Sequence, residues 1–157
     1  MSKEHHYAVT VRWTPQPGQD TSSYRTYTRD HDLVVEGKPV LQGSADPSFR
    51  GDQSRWNPEE FLVGALSECH LLTYLALCAT QGVVVTSYED AATGLMRMER
   101  VSSGRFVEVV LNPVVTVTDA SMVERAEELH AAAHRDCFIA NSVNFPVRHQ
   151  PTIRVAS

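Results

Sequence analysis

Apolar and polar side chains alternate from Tyr7 to Trp13, with Tyr7, Val9, Val11 and Trp13 on one face, the period-two pattern of a half-buried strand. Pro15-Gln-Pro-Gly18 ends it. Tyr24 to Arg29 and Leu33 to Glu36 read as further short strands, and Gly37-Lys-Pro39 as the turn before Val40-Leu41, so an antiparallel meander is expected. Between Gly43 and Trp56 the periodicity disappears among Asp46-Pro47 and Gly51-Asp52, which marks a loop.

The pattern then changes to a long, almost uniformly apolar run from Asn57 to Gly82. Asn57 is a favoured N-cap, Pro58 suits the first helical position, and Glu60 stands three residues after the cap, as in a capping box. Gly82 supplies a stop. The predicted helix has about 24 residues and a length of about 36 Å. A membrane span has that length too, but Glu68 and His70 fall in the middle and the flanking chain is strand-like. A helix apolar on every side is instead one buried on every side, and a small meander is too little to cover it. A second subunit that shares the burial is therefore expected.

Val83 to Glu99 and Arg105 to Val117 are rich in β-branched residues and flank Val101-Ser-Ser-Gly104, the layout of a long hairpin. Asp119 or Ser121 starts a second helix through Met122, Ala126, Leu129 and Ala133, and Cys137 follows its end. Pro151 to Val155 reads as a short edge strand. Strands, long helix, strands, helix and strand, without βαβ alternation, make an α+β fold in a single domain over residues 1–157.

Composition narrows the function. A net charge of −5 with no basic run argues against nucleic acid or an anionic membrane as partner. The polar N-terminus lacks the apolar core of an export signal, so cytoplasm is the expected compartment. There the thiols stay reduced, so the three cysteines are not a structural disulfide framework. Cys69 lies inside the apolar helix, between Glu68 and His70, where a lone cysteine is ordinarily a small buried hydrophobe. Cys78 reads as that ordinary kind. It is nine residues on, about 13 Å along the same helix, so the two cannot bond and any partner for Cys69 comes from elsewhere. Cys137, just past a helix end, is the remaining thiol. His130 and His134 share a helix face three residues before it, a spacing that could hold zinc with His70 or Asp136 as fourth ligand. The plainer reading is a solvated or partly buried helix face. Asn141-Ser-Val-Asn-Phe-Pro146 is a polar loop near Cys137 to which the sequence assigns no role.

Asn57-Pro-Glu-Glu60, ten residues from Glu59 to Cys69 in an apolar helix, and a late Cys137 followed by Phe-Ile-Ala-Asn-Ser142 together resemble the OsmC/Ohr family. The resemblance runs from about Tyr7 to Val155, and its specificity lies in the blocks 57–69 and 130–142. It implies sheets wrapped around a long central helix in an intertwined homodimer, and a thiol peroxidase that reduces organic hydroperoxides to alcohols. By position, Cys69 is then the peroxidatic thiol, Cys137 the resolving one, and Glu59 the acid that works with an arginine to hold the thiolate. Thiol chemistry suits such a role: a cation favours the thiolate, an arginine does so without titrating, and a second thiol captures the sulfenic acid before over-oxidation. It calls for no metal or other cofactor.

Arg50, in an irregular loop nine residues before Glu59, is the expected arginine, ahead of Arg25, Arg29 and Arg55. Acidic residues in a first turn also favour the helix dipole, so Glu59 has a structural reading beside the catalytic one. Leu66, Leu71, Leu72 and Phe61 around the thiol favour bulky organic peroxides. The recycling reductant implied is a dithiol, such as a lipoyl group on a protein. Glu59 and Cys69 are about 15 Å apart along one helix, so the family role has Glu59 of one chain serving Cys69 of the other, the helices crossing near Gly64. A non-catalytic metal- or ligand-binding protein of the same fold, and a thiol redox sensor, are the alternatives.

Overall fold

The alternation at the start of the chain becomes β1 (Thr10–Trp13), which pairs antiparallel with β2 (His31–Val34), and β2 in turn with β3 (Leu41–Gly43). The expected meander is present, with Trp13 opposite His31 and His31 opposite Gly43. Tyr24 to Arg29 is not a strand. Arg29 curls this segment by donating to the carbonyls of Tyr24 and Tyr27, with its guanidinium over both rings, 4.7 and 3.9 Å from their centroids. The backbone hydrogen bonds a strand would need go to a side chain instead. In the following loop a Cβ at Gly51 would lie 1.6 Å from the Ala45 carbonyl oxygen, so only glycine fits there.

The computed structural model describes residues 3–101 and 103–157 and divides into two compact units, one ending at Phe61 and the other spanning Leu62–Ser157. The first holds the meander. It also holds the start of α1 (Pro58–Thr80), where the capping box forms as expected: Glu60 N–H donates to Asn57 Oδ1 at 2.8 Å, and Asn57 N–H to Glu60 Oε2 at 3.1 Å. Gly82, at φ 73°, lets the Val83 N–H return to the Cys78 carbonyl and close the last turn.

In the second unit α1 buries one stripe, Leu66, His70, Tyr74 and Cys78, at a spacing of four. Its length and composition would allow it to cross a bilayer, but this stripe is packed in protein. β4 (Val85–Asp90), β5 (Thr93–Arg100), β6 (Ser103–Leu111) and β7 (Pro113–Val117) form the expected long hairpin, β5 against β6 and β4 against β7. The hairpin is broken midway and feeds two sheets. Asp90 pins the break, accepting from Asn112 N–H at 2.6 Å and from Ser67 Oγ of α1 at 2.5 Å. α2 (Val123–Asp136) follows a 3-10 turn capped by Asp119, and buries Ala126, Leu129, His130 and Ala133.

Two strands complete the sheets, β8 (Val147–His149) parallel to β6 and β9 (Thr152–Val155) parallel to β7. The antiparallel sheets thus each acquire a parallel edge. One core cluster joins Tyr74 and Cys78 to Val115 and Val117 of β7 and to Ala126, Leu129 and Ala133 of α2. The other joins Leu66 to Val109 and Leu111 of β6.

Candidate active site at the Cys69 and Cys137 thiols

The core that packs α1 against α2 also fixes the two cysteines. Cys69 is partly exposed on α1, one residue before the buried His70. Cys137 is the C-cap of α2, extended at φ −72° and ψ 115°, and is 1% exposed. Both are free thiols, and Cys69 is near enough to Cys137 to act on its thiol. Burial first, and then that neighbour, push the Cys137 thiol up to about 11. The Ala140 N–H, donating to Cys137 Sγ at 3.4 Å, pulls the other way. The polar loop after Cys137 folds on itself. Asn141 donates through its backbone to the Cys137 carbonyl and through Nδ2 to that of Arg135, and Ser142 Oγ donates to Phe138. These bonds hold the turn that presents the thiol.

Cys78 is a different kind of residue. It is 1% exposed in the α1–α2–β7 core, and burial raises its thiol above the ordinary value. Tyr74, one turn earlier, donates its hydroxyl to the Ala126 carbonyl at 2.9 Å.

His130 and His134 do not face solvent together. His130 is fully buried, its Nδ1 2.9 Å from His70 Nε2, and its ring is stacked on Tyr74 with centroids 3.9 Å apart. His149 of β8 completes the group, 5.7 Å from His70 and 5.4 Å from His134 between ring centroids. Burial and mutual repulsion push His70 down to about 4 and His130 to about 3, and burial lowers His149. Among the described residues no set of three or more His, Cys, Asp or Glu is arranged to hold a metal ion, and His130, His134 and Cys137 form no such set. Sequence reasoning paired His130 with His134 and missed His149. The available signal was His70, a polar residue in an otherwise apolar stripe, which requires a buried partner.

In the first unit, Arg50 is exposed at the end of the 3-10 turn Pro47–Phe49, with φ 68°, and donates to the Arg25 carbonyl at 3.3 Å. Arg29 is committed to its two tyrosines. Arg55 has Nε 3.7 Å from Asp30 and 4.0 Å from Asp52, while its NH1 is buried without a hydrogen-bond partner. Glu59 Oε2 is likewise buried, and among the described residues neither atom has a partner. Unsatisfied buried groups of this kind call for an explanation.

Residues 51–151 match the family model described as OsmC-like protein. The chain belongs to the OsmC-like family. It is 24% identical over 152 residues to the uncharacterized protein YmaD of Bacillus subtilis, covering 94% of this chain and 92% of that one. It is 30% identical to an OsmC-like protein of unknown function from Vibrio cholerae, with a TM-score of 0.86 over 95% of this chain and 100% of the other. An organic hydroperoxide resistance protein from Elizabethkingia anophelis shares the fold, with a TM-score of 0.66 at 15% identity over 98% of this chain and 100% of that one. This OsmC-like chain therefore has the α+β fold of the OsmC/Ohr proteins.

Proposed function

We propose that this OsmC-like protein is a thiol peroxidase that reduces organic hydroperoxides, with Cys69 as the peroxidatic and Cys137 as the resolving thiol. The observation that carries the reading is the proximity of these thiols, 68 residues apart in the chain, 137 − 69, yet near enough for Cys69 to raise the Cys137 thiol. One is partly exposed, where a peroxide can arrive; the other is buried. The Cys69 thiolate attacks the terminal peroxide oxygen, the O–O bond breaks, and the leaving alkoxide takes a proton to become an alcohol. The resulting Cys69 sulfenic acid condenses with the Cys137 thiol, forming a disulfide and releasing water. Two electrons from a dithiol, such as a protein-bound lipoyl group, then regenerate both thiols in the cytoplasm. The raised Cys137 thiol is mostly protonated, so it does not compete for peroxide, and its proton leaves with the released water when it attacks the sulfenic acid.

Glu59 and an arginine are assigned to hold the thiolate, across a homodimer in which Glu59 of one chain serves Cys69 of the other. Loop position favours Arg50. The orphaned NH1 of Arg55 favours that residue instead, so alanine variants of both are required. Gly64, where the paired helices would cross, is exposed, and a Cβ there meets nothing within 4 Å, so no bulky neighbour among the described residues accounts for it.

The test is peroxide consumption by purified protein with a dithiol donor. Turnover of a cumene-type hydroperoxide faster than hydrogen peroxide supports the proposal, and no turnover of either refutes it. Stoichiometric oxidation without recycling would mark a redox sensor.

A further inference from the structure

Neither the capping, the core nor the peroxide chemistry uses the buried histidines. His70 of α1, His130 and His134 of α2 and His149 of β8 meet in the second unit, and the first two are 1% and 0% exposed. The rings of His70 and His130 lie nearly parallel, 7° apart with centroids at 5.3 Å, and share one hydrogen bond. That bond requires a lone pair on one ring and an N–H on the other. The far nitrogens, His70 Nδ1 and His130 Nε2, are buried with no partner among the described residues, as is His134 Nδ1.

No anion stands among the groups that act on the pair. Tyr74 of α1 stacks on His130 and spends its hydroxyl on a carbonyl. Tyr88 of β4 packs at 6.0 Å from Tyr74, and Cys78 is a neighbour of Tyr74. The groups that act on His70 are burial, His149 and His134; on His130 they are burial, His70 and His149, with no carboxylate among them. One added proton puts an uncompensated charge in this site, and a second sets N–H against N–H.

Position gives the bond its consequence. His70 directly follows Cys69, and His130 stands seven residues before Cys137 on α2. The bond therefore ties the two helices together close to where the thiols meet.

We propose that the neutral His70–His130 pair is a latch between α1 and α2 that positions Cys69 against Cys137, and that protons release it. The consequence for catalysis rests on the redox reading of those thiols, but the latch itself does not. Opening exposes both rings to water, where each takes up a proton at its ordinary value. From about pH 7 to about pH 5 the opening equilibrium then rises about 20-fold for each histidine, and several hundred-fold for the two.

The test is the protection of the buried Cys137 thiol against a dipyridyl disulfide, resolved by peptide mass spectrometry. Rates are compared with those of the unfolded chain at the same pH, which removes the reagent's own pH dependence. Wild-type protection should fall several hundred-fold between about pH 7 and about pH 5. In His130→Gln the drop should shrink to about 20-fold. Unchanged wild-type protection, or a variant that keeps the full drop, overturns the latch. Should the variant not fold, nitrogen NMR of the histidine rings in the wild type decides: both rings neutral at about pH 5 supports the latch, and protonation near the ordinary histidine value refutes it. A pH-dependent protection with no peroxide turnover would leave the latch standing and remove the peroxidase.

Discussion

At the residue scale, surroundings separate three cysteines of identical chemistry. Cys69→Ser should abolish peroxide turnover, while Cys78→Ser should keep most of it, because Cys78 packs in the core and touches no other cysteine. Equal loss in both, measured by peroxide consumption, would contradict the assignment. The histidines give the pH dependence. His70 and His130 titrate below their ordinary value in the folded chain, so the unfolded state binds more protons below about pH 6.5. Their contribution is intact above that value and is lost as the pH falls towards about 4, at about 2 kcal/mol each by pH 5. Urea unfolding at the two pH values should show a midpoint shift that shrinks in His130→Gln. Cys69, Cys137 and Glu59 were readable as candidates because short motifs surround them. The histidine cluster was not, since its members lie 60 and 19 residues apart, 130 − 70 and 149 − 130, and only the packing of α2 and β8 on α1 brings them together.

At the element scale, local chemistry predicted best where it was strongest. The α1 cap was readable because Asn57, Pro58 and Glu60 occupy positions fixed by the helix itself. Asn57→Ala should cost about 1 kcal/mol, since it leaves the Glu60 N–H without its acceptor. Gly82→Ala should cost a similar amount through its positive φ, about 1–2 kcal/mol. Urea midpoints for the two variants check both, and an unchanged midpoint in either would contradict the account of that end. Tyr24 to Arg29 failed as a strand because Arg29 takes the carbonyls, a side-chain competition that alternation does not register. β8 was unreadable for another reason: three residues pair in parallel with a distant β6, and no local pattern encodes that partner.

At the scale of the whole molecule, α1 is apolar all round yet buries a single stripe in one chain, and Leu72 remains 61% exposed. Tyr7, Val9 and Val11 beside β1 are exposed as well, on the face expected to be half-buried. These surfaces fit burial by a second copy, which the sequence implied through the all-round apolar helix. A Cβ at exposed Gly64 meets no described atom within 4 Å, so Gly64→Trp should fold and yet lose the dimer by sedimentation, whereas a bulky residue that leaves a dimer intact would move the crossing elsewhere. Mixing Cys69→Ser with Glu59→Gln under verified subunit exchange should restore part of the activity, because one of the two sites becomes wholly wild type. The central claim is the pairing of two thiols by one peroxide. One equivalent of an organic hydroperoxide added to reduced protein, followed by peptide mapping and assay of the alcohol, measures it. The account predicts a Cys69–Cys137 disulfide with one equivalent of alcohol; three unmodified thiols, or a bridge that includes Cys78, would contradict it.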